Sequence, residues 1–323
     1  MTVTDVFDRV SFMDYEPAAA SFREDVLAGL SHPIRRIPCK YLYDATGAGL
    51  FERICDLPEY YPTRTELAML RRLGPEIAAL AGPEAQVVEF GTGDGRKSRL
   101  LLDALEHPAS YVAIDISREQ LIREAAAMAM DRPQVEVLAV CGDYTQQALS
   151  LPAIGQRRVG FFPGSTIGNL TPVAATAFLA RCAKMLPGGA MLVGVDIPKD
   201  IGLVEAAYND SAGVTAAFSL NLLARINREL GGTFDLSGFR HYAYFNVDQS
   251  KIEIFLISQR EQRAAVAGRF FHFRAGERIH IEDSYKLAPA TFQNMARAAG
   301  FEPAQVWVDP DGLFSLHWLL APL

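Results

Sequence analysis

Cysteines are few in this sequence and long apolar runs are absent, and each shortage excludes a class of protein. Only four of the 323 residues are cysteine, and none lies in a C-x-x-C pair. Neither a zinc site nor a disulfide framework is therefore indicated. No run of about 18 apolar residues occurs, as a membrane-spanning helix requires. The amino terminus also lacks a basic region followed by an apolar core, so we expect a cytoplasmic protein.

An excess of positive charge is also missing. The chain has 31 lysines and arginines against 38 aspartates and glutamates, which gives a formal net charge of −7. A protein of this charge has no electrostatic reason to bind nucleic acid or an anionic membrane, and we expect neither as a partner. Apolar residues make up 50% of the chain, as in an ordinary globular protein. We therefore expect an enzyme that acts on a small molecule, and we expect it to be a monomer.

A glycine-rich segment at residues 86–105 reads QVVEFGTGDGRKSRLLLDAL, which predicts a buried strand, a tight turn and a helix. Gly91, Gly93 and Gly95 allow the backbone to turn sharply and to approach a ligand closely. A dinucleotide-binding fingerprint has the spacing G-x-G-x-x-G, whereas these glycines lie two apart and follow Glu89. The pattern resembles the first loop of class I S-adenosylmethionine (SAM) methyltransferases. A nucleotide site and a purely structural turn remain as alternatives at this point.

The segments that follow predict a doubly wound parallel sheet, because strands alternate with helices. The predicted strands lie at 111–117, from 135, from 158 and at 190–198, and helices are predicted at 119–130 and 172–185. Two further strands after residue 301 are joined by Asp309-Pro310-Asp311-Gly312, which is a hairpin turn signal. A terminal antiparallel hairpin on a parallel sheet is typical of methyltransferases and disfavours a dehydrogenase.

Polar residues follow the predicted strands at their carboxyl ends, where open α/β sheets bind ligands. Asp115 ends the second strand, where a carboxylate accepts hydrogen bonds from ribose, and a helix cap is the alternative role. Asp143 and Tyr144 follow the third strand and suit the amine and the face of an adenine ring. The residues after the fourth strand include Gly164, Thr166 and Asn169.

The sequence pattern of residues 199–286 differs from the strand–helix alternation that precedes it. A long helical stretch is followed by several runs of alternating apolar and polar residues, which predict an antiparallel meander. We expect this insertion to form a second, α+β domain together with residues 1–63, and to serve as a substrate-binding lid over the cofactor. Residues 64–198 and 287–323 then form the cofactor-binding domain. Four tyrosines within residues 41–61 are either core packing or an aromatic wall for a ligand.

Five long segments match one family in order and spacing. They read YDATGAGLFERICDLPEYYPTRTE, VVEFGTGDGRKSRLLLDAL, FPGSTIGNLTP, AYNDSAGVTAAFSLNLLARINREL and IEDSYKL. Over nearly its whole length the chain resembles the histidine Nα-methyltransferases of the ergothioneine pathway, which make hercynine from histidine and three molecules of SAM. The resemblance implies a Rossmann-like class I methyltransferase sheet with a terminal antiparallel hairpin, a second substrate-binding domain, and SAM as co-substrate with no metal.

The resemblance also implies roles for particular residues. The positions that correspond to cofactor ligands are Tyr60, Gly91, Lys97, Asp115, Asp143 and Tyr144. Those that correspond to residues around the amino acid are Tyr43, Phe51, Gly164, Thr166, Asn169, Tyr208, Glu282 and Ser284, with Asn169 and Tyr43 as the catalytic residues. The chain departs from the family where methionine is frequent in one strand, because Ile254 followed by Phe255 stands there.

The side chains agree with this chemistry. A neutral amine attacks the SAM methyl in line, while the enzyme supplies position and a dry polar environment, so no metal is needed. Asn169 and Tyr208 can bind the amine or the carboxylate without using the nitrogen lone pair. Glu282 can accept from one imidazole N–H, and Ser284 can meet the other ring nitrogen. The alternatives are methylation of another amino acid or amine, arrest at one or two methyl groups, and a SAM-binding protein without activity.

Overall fold

The computed structural model describes residues 9–15, 20–145 and 149–323. The chain divides into two compact units. The first contains the described parts of residues 1–17, 62–198 and 287–323, and the second contains those of residues 18–61 and 199–286. The sequence had assigned residues 1–63 to the second domain, whereas the described residues 9–15 belong to the first unit. Residues 1–8 and 16–19, which the same prediction covers, lie outside the described residues.

The helices include the two that were predicted at 119–130 and 172–185, which begin and end within one residue of those positions. They are, in chain order, α1 (Ala20–Ser31), α2 (Ala45–Cys55), α3 (Tyr61–Ala81), α4 (Arg96–Ala104), α5 (Arg118–Asp131), α6 (Pro172–Met185), α7 (Ile201–Tyr208), α8 (Val214–Leu230) and α9 (Pro289–Ala298). Short 3₁₀-helices span Cys39–Leu42, Thr166–Asn169 and Leu236–Gly238. Within the described part of the chain, no helix has the length and apolar character needed to cross a membrane.

The strands form one large sheet in the first unit and two smaller ones in the second. They are β1 (Val10–Asp14), β2 (Ala85–Phe90), β3 (Ser110–Asp115), β4 (Glu136–Cys141), β5 (Arg157–Phe162), β6 (Ala190–Asp196), β7 (Phe239–Asn246), β8 (Lys251–Ser258), β9 (Gln262–Val266), β10 (Arg269–Phe273), β11 (Arg278–Tyr285), β12 (Glu302–Val308) and β13 (Phe314–Leu320).

The large sheet has the order β1-β4-β3-β2-β5-β6-β13-β12. Strands β1 to β6 pair in parallel, and β13 runs antiparallel to both β6 and β12. Every residue of β2 and of β6 is buried, as expected for parallel strands that are covered on both faces. These pairings confirm the predicted Rossmann-like fold class with its terminal antiparallel hairpin.

Strand β1 is an edge strand that the sequence did not predict. It pairs in parallel with β4, from Val10 opposite Val137 to Asp14 opposite Cys141. The strand is five residues long and mostly exposed, so it lacks the alternation that marks a half-buried strand. Its neighbour in the sheet is distant in sequence, and a local pattern carries no information about such a partner.

The second unit contains a three-stranded antiparallel sheet of order β11-β8-β7 and a separate hairpin of β9 and β10. The predicted single meander is therefore wrong in its last steps. Strand β11 does not follow β10 in one sheet but returns to pair with β8. Alternating hydrophobicity identifies which side chains face the core, but it does not identify which strand lies alongside.

Strand β13 carries a histidine in the core of the first unit. His317 has no exposed surface, and its ring lies 4.6 Å from that of Phe292 between centroids. Nε2 lies 3.0 Å from Ser315 Oγ, while Nδ1 has no hydrogen-bond partner among the described residues. Burial lowers the pKa of His317 to about 4. His317 is therefore protonated less readily in the folded protein than in the unfolded chain.

This histidine predicts a loss of stability in mild acid. The unfolded-state pKa of histidine is about 6.5, so its contribution is fully present above that pH and is lost as the pH falls towards 4. We expect the free energy of unfolding to fall by up to about 1.4 kcal/mol per pH unit between pH 6.5 and 5. Urea unfolding at several pH values in this range measures that free energy. Its dependence on pH should be weaker in His317→Gln than in the wild type. An equal pH dependence in the two proteins would show that His317 does not cause the loss of stability.

Candidate functional site

The glycine loop follows strand β2 directly and leads into helix α4. Gly91, Gly93 and Gly95 have φ angles of 82°, 52° and 69°, in the left-handed region that glycine adopts without strain. The Gly91 amide donates to the carbonyl oxygen of Ile114 at 2.8 Å, which fixes the start of the turn beside β3. A Cβ at Gly91 would lie 3.4 Å from the Tyr144 hydroxyl. The loop thus brings bare backbone next to Tyr144.

Glu89 holds this loop in place from within the core. Its Oε2 accepts hydrogen bonds from Ser98 Oγ at 2.5 Å and from the Tyr111 hydroxyl. Ser98 lies in α4 and Tyr111 in β3, so one carboxyl group joins the elements on either side of the loop. Burial raises the pKa of Glu89 to about 8. The acid that precedes the glycines therefore acts on the shape of the loop.

Asp115 lies at the carboxyl end of β3, partly buried beside the glycine loop. It accepts from the backbone amide of Thr92 at 3.1 Å and from that of Ser117 at 2.8 Å. Burial raises the pKa of Asp115, while these hydrogen bonds oppose the rise. The carboxylate thus ties the glycine loop to the start of α5, and it stands where a ribose was predicted to bind.

Asp143 and Tyr144 follow β4 at the same edge of the sheet. Asp143 Oδ1 accepts from the Thr145 backbone amide at 3.0 Å and from the Thr145 hydroxyl at 2.5 Å. The Tyr144 ring packs against an aromatic cluster with centroid distances between 5.7 and 6.0 Å, and the members of that cluster are Phe90, Phe162 and Phe178. The structure thus brings Gly91, Asp115 and Tyr144 together at the ends of neighbouring strands.

Lys97 and Glu66 form a buried ion pair in the first unit. Lys97 Nζ lies 2.6 Å from Glu66 Oε2, and the Glu66 side chain has no exposed surface. The same oxygen accepts from the backbone amide of Gly164 at 2.8 Å. A Cβ at Gly194 would lie 2.1 Å from Glu66 Oε1, so glycine is required there for the carboxylate to fit. Sequence reasoning did not single out Glu66, although it ends the TRTE segment of the matched motif.

The turn after β5 carries the remaining predicted residues of the first unit. Gly164 has a φ of 78°, and Thr166 Oγ1 donates to the Pro163 carbonyl oxygen at 2.9 Å. Ser165 Oγ accepts from the Asp196 backbone amide at 2.9 Å, which fixes the turn to β6. Asn169 ends the 3₁₀-helix Thr166–Asn169 that follows. The turn is therefore held by Glu66 on one side and by β6 on the other.

Aromatic rings form a continuous group within the second unit. Tyr43 and Phe51 pack edge to face at 5.4 Å between centroids, and both contact Phe218. Tyr60 lies 6.2 Å from Phe51 and 6.1 Å from Tyr208. Burial raises the pKa of Tyr60 well above its usual value. Tyr60, which was expected to hold the cofactor, thus lies among residues that were expected to surround the amino acid.

Strand β11 presents Glu282 and Ser284 on one face of its sheet, because residues two apart in a strand share a face. Their exposed fractions are 9% and 4%. Ser284 Oγ and the Tyr208 hydroxyl lie 2.8 Å apart. Ile254 stands directly opposite Glu282 on β8 and is almost fully buried, so it shares this face. Burial and the nearby Glu282 carboxylate raise the pKa of the Cys39 thiol to about 12.

A lysine that sequence reasoning missed joins this group. Lys286 is 1% exposed, and its Nζ donates to the Tyr208 hydroxyl and to Ser284 Oγ, both at 2.8 Å. The ammonium also lies 4.7 Å from the centroid of the Tyr208 ring. The lysine stands in the IEDSYKL segment, two residues after Ser284, and that spacing was the available signal.

The opposite face of the same sheet carries a second polar cluster. Side-chain ligand atoms of Glu253, His280 and Asp283 lie within 4.8 Å of one another. Lys251 Nζ lies 2.9 Å from both Glu253 and Asp283, so the cluster contains its own cation. The pKa of Lys251 is raised, since both acids stabilise its charged form more than burial disfavours it. The cluster is an internal ion-pair network of the sheet.

Comparisons with known proteins agree on one family. A family model described as histidine-specific methyltransferase, SAM-dependent, matches residues 22–321. The chain is 41% identical over 312 residues to a histidine N-alpha-methyltransferase of Mycolicibacterium smegmatis, which covers 95% of this chain and 97% of that protein. It is 39% identical over 302 residues to the histidine N-alpha-methyltransferase of Mycobacterium tuberculosis, over 92% of this chain and 94% of that one.

A third relative is larger. Ergothioneine biosynthesis protein 1 of Neurospora crassa is 33% identical over 284 residues, which are 84% of this chain and 32% of that protein. The chain belongs to the histidine-specific, SAM-dependent methyltransferase family.

Proposed function

We propose that this protein is a SAM-dependent L-histidine Nα-methyltransferase that converts histidine to hercynine. The observation that carries the proposal is the pair on β11, a buried Glu282 carboxylate and a Ser284 hydroxyl on the same strand face. The carboxylate can accept a hydrogen bond from one imidazole N–H, while the hydroxyl can bind the other ring nitrogen. No other proteinogenic side chain has an N–H donor and a second nitrogen in the same ring. Membership of the family supports the same substrate.

The residues of the first unit fit SAM. Bare backbone at Gly91, with a neighbouring hydroxyl from Tyr144, leaves room for a ligand to approach closely. The Asp115 carboxylate at the end of β3 suits ribose hydroxyls. Asp143 and Tyr144 suit the adenine, and Lys97 suits the carboxylate of the methionine portion. SAM supplies an electrophilic methyl group on its sulfonium.

The protein's own part in the reaction is binding and orientation. The substrate nitrogen must have a lone pair, so the α-amine reacts in its neutral form. Asn169 carries an amide that can orient this amine without using the lone pair, and the phenol of Tyr43 can donate to the carboxylate. Holding the reacting atoms in line lowers the barrier, because it converts a bimolecular displacement into an effectively unimolecular step. We assign Asn169 and Tyr43 as the catalytic residues on these grounds.

The product and its pathway follow from the same proposal. Transfer is repeated until the nitrogen is trimethylated, which gives hercynine, the betaine of histidine. The similarity to ergothioneine biosynthesis protein 1 supports a place in ergothioneine biosynthesis. Ile254 is buried directly opposite Glu282, so it would line the site beside the ring.

Replacing Asp115 with asparagine is expected to weaken SAM binding about tenfold, or roughly 1.4 kcal/mol, the lower end for hydrogen bonds to a charged group. The Thr92 amide donates to Oδ2 and the Ser117 amide to Oδ1, so asparagine keeps an acceptor for one of the two amides, whereas alanine would release both. Calorimetry with SAM measures the change. The matched control is Asp103→Asn, on an exposed carboxylate that pairs with Arg132. Unchanged affinity in Asp115→Asn would remove this residue from the cofactor shell.

Product mass tests the proposed function. The protein is incubated with SAM and with each proteinogenic amino acid in turn, and the products are identified by mass spectrometry. We expect trimethylated histidine as the main product and little turnover of phenylalanine or tryptophan. Methylation of another amino acid in preference to histidine would contradict the proposed substrate. Absence of turnover with every amine would contradict the assignment as an enzyme of this class.

A further inference from the structure

Three polar groups of the second unit form a closed triangle. Lys286 Nζ lies 2.8 Å from both the Tyr208 hydroxyl and Ser284 Oγ, and the two hydroxyl oxygens lie 2.8 Å from each other. All three side chains are at least nine-tenths buried. Bulk water therefore cannot readily exchange with any of these hydrogen bonds.

The lysine fixes the direction of the other hydrogen bonds. An ammonium group has three donors and no acceptor, so both hydroxyl oxygens accept from Lys286. A phenol is the stronger acid of the two hydroxyls, so Tyr208 donates to Ser284 within the pair. Ser284 Oγ then accepts from both Lys286 and Tyr208, which uses its two lone pairs. Only the O–H of Ser284 then remains available to a ligand, so Ser284 acts as a hydrogen-bond donor.

We propose that Lys286 makes the imidazole site specific for the neutral form of the histidine ring. The inference rests on the proposed function. A donor at Ser284 requires an unprotonated ring nitrogen, while Glu282 accepts from the N–H of the other nitrogen. An imidazolium would place an N–H against the Ser284 donor, and the Lys286 ammonium would offset the attraction between the ring's charge and the Glu282 carboxylate. Lys286 is thus a positioning residue that acts through Ser284 and Tyr208.

Other titratable groups border the triangle. Glu282 and Tyr60 lie on the side of the aromatic group, and Cys39 lies beside Glu282. His241 Nε2 lies 2.8 Å from the Tyr208 carbonyl oxygen, and Asp210 is near that ring. Burial lowers the pKa of His241. These groups are common to the wild type and to a Lys286 variant, so a difference between the two proteins isolates the lysine.

The test measures how histidine affinity depends on pH. Calorimetry is done with the whole protein at pH 7.5 and 5.5, with saturating S-adenosylhomocysteine to prevent turnover. The free imidazole has a pKa of about 6.5, so its neutral fraction falls about tenfold over this range. We expect the wild-type Kd for histidine to rise about tenfold. The Kd of 1,2,4-triazolylalanine, whose ring stays neutral at both pH values, should change less than about twofold.

The variant Lys286→Met keeps the chain length and removes the charge and the donors. Ser284 then regains a lone pair and can accept from an imidazolium, so the rise in Kd for histidine should fall to about twofold or less. Lys251→Met is the matched control, because Lys251 is a buried lysine on the opposite face of the same sheet. It should keep the tenfold dependence even if it lowers stability.

Two results would overturn the inference while leaving the proposed function intact. One is a tenfold rise that persists in Lys286→Met. The other, which needs no variant, is a wild-type Kd for histidine that does not change between pH 7.5 and 5.5. A wild-type protein that binds neither histidine nor the triazole at either pH would instead overturn the proposed function, and this inference with it.

Discussion

Replacing Lys97 with alanine is expected to lower the free energy of unfolding by about 3–5 kcal/mol, the range for breaking a buried ion pair by removing one partner. Glu66 has no exposed surface, and Lys97 Nζ lies 2.6 Å from its Oε2. Without the lysine, the carboxylate keeps the Gly164 amide at 2.8 Å as a donor, but its charge is no longer compensated. The cost of this change is mainly the desolvation of an unpaired charge.

Urea unfolding of Lys97→Ala measures this loss. Two further variants serve as controls for its cause. The double variant Lys97→Ala/Glu66→Gln removes both charges, so it should be more stable than Lys97→Ala alone. Arg260→Ala breaks the exposed ion pair with Asp235, where both side chains are about half exposed, and should cost less than about 1 kcal/mol. A loss of that small size in Lys97→Ala would show that the ion pair is not buried in solution.

Glu282→Ala is expected to reduce activity on histidine while weakening discrimination against phenylalanine and tryptophan. A site that pairs buried polar groups with substrate N–H groups rejects analogues that leave those groups unpaired. Removing the acceptor should cost about 1.5 to 3 kcal/mol in transition-state binding for histidine, or roughly ten- to a hundred-and-fifty-fold in kcat/KM. SAM affinity should change little, because Glu282 is proposed to bind the imidazole ring and is not among the residues proposed to hold SAM.

Steady-state kinetics on histidine and on phenylalanine, for wild type and variant, provide the test. Asp283→Ala is the control on the neighbouring residue, whose side chain contacts Lys251 and His280 on the opposite face of the sheet. It should affect both substrates to the same extent. If Glu282→Ala also lowers kcat/KM equally for both, the carboxylate holds the fold or the amine and does not recognise the ring.

The sequence predicted the parts of the fold that local signals determine. Helix α6 spans Pro172–Met185 as predicted, because Pro172 occupies the first turn and the Thr171 hydroxyl accepts from the Ala174 amide at 3.3 Å. The glycine spacing predicted the turn after β2, and the Asp309–Gly312 turn predicted the terminal hairpin. In each case the decisive residues are neighbours in the chain.

The features that sequence reasoning missed depend on distant partners. Strand β1 is defined by its pairing with β4, and β11 by its return to β8 across the β9–β10 hairpin. Glu66 gains its role from Lys97 and Gly164, and Lys286 gains its role from Tyr208. Apart from the two-residue spacing between Ser284 and Lys286, no periodicity or spacing in the chain indicates such contacts. The residue types were visible in the matched motifs, but their partners were not.

The position of the transferred methyl groups tests the central claim most directly. The protein is incubated with histidine and with SAM that carries a ¹³C-labelled methyl group, and the product is examined by heteronuclear NMR. We predict that every labelled methyl carbon correlates with the histidine Cα–H across the α-nitrogen. Labelled methyl groups that correlate with ring carbons, or a labelled product from another amino acid but none from histidine, would contradict the account.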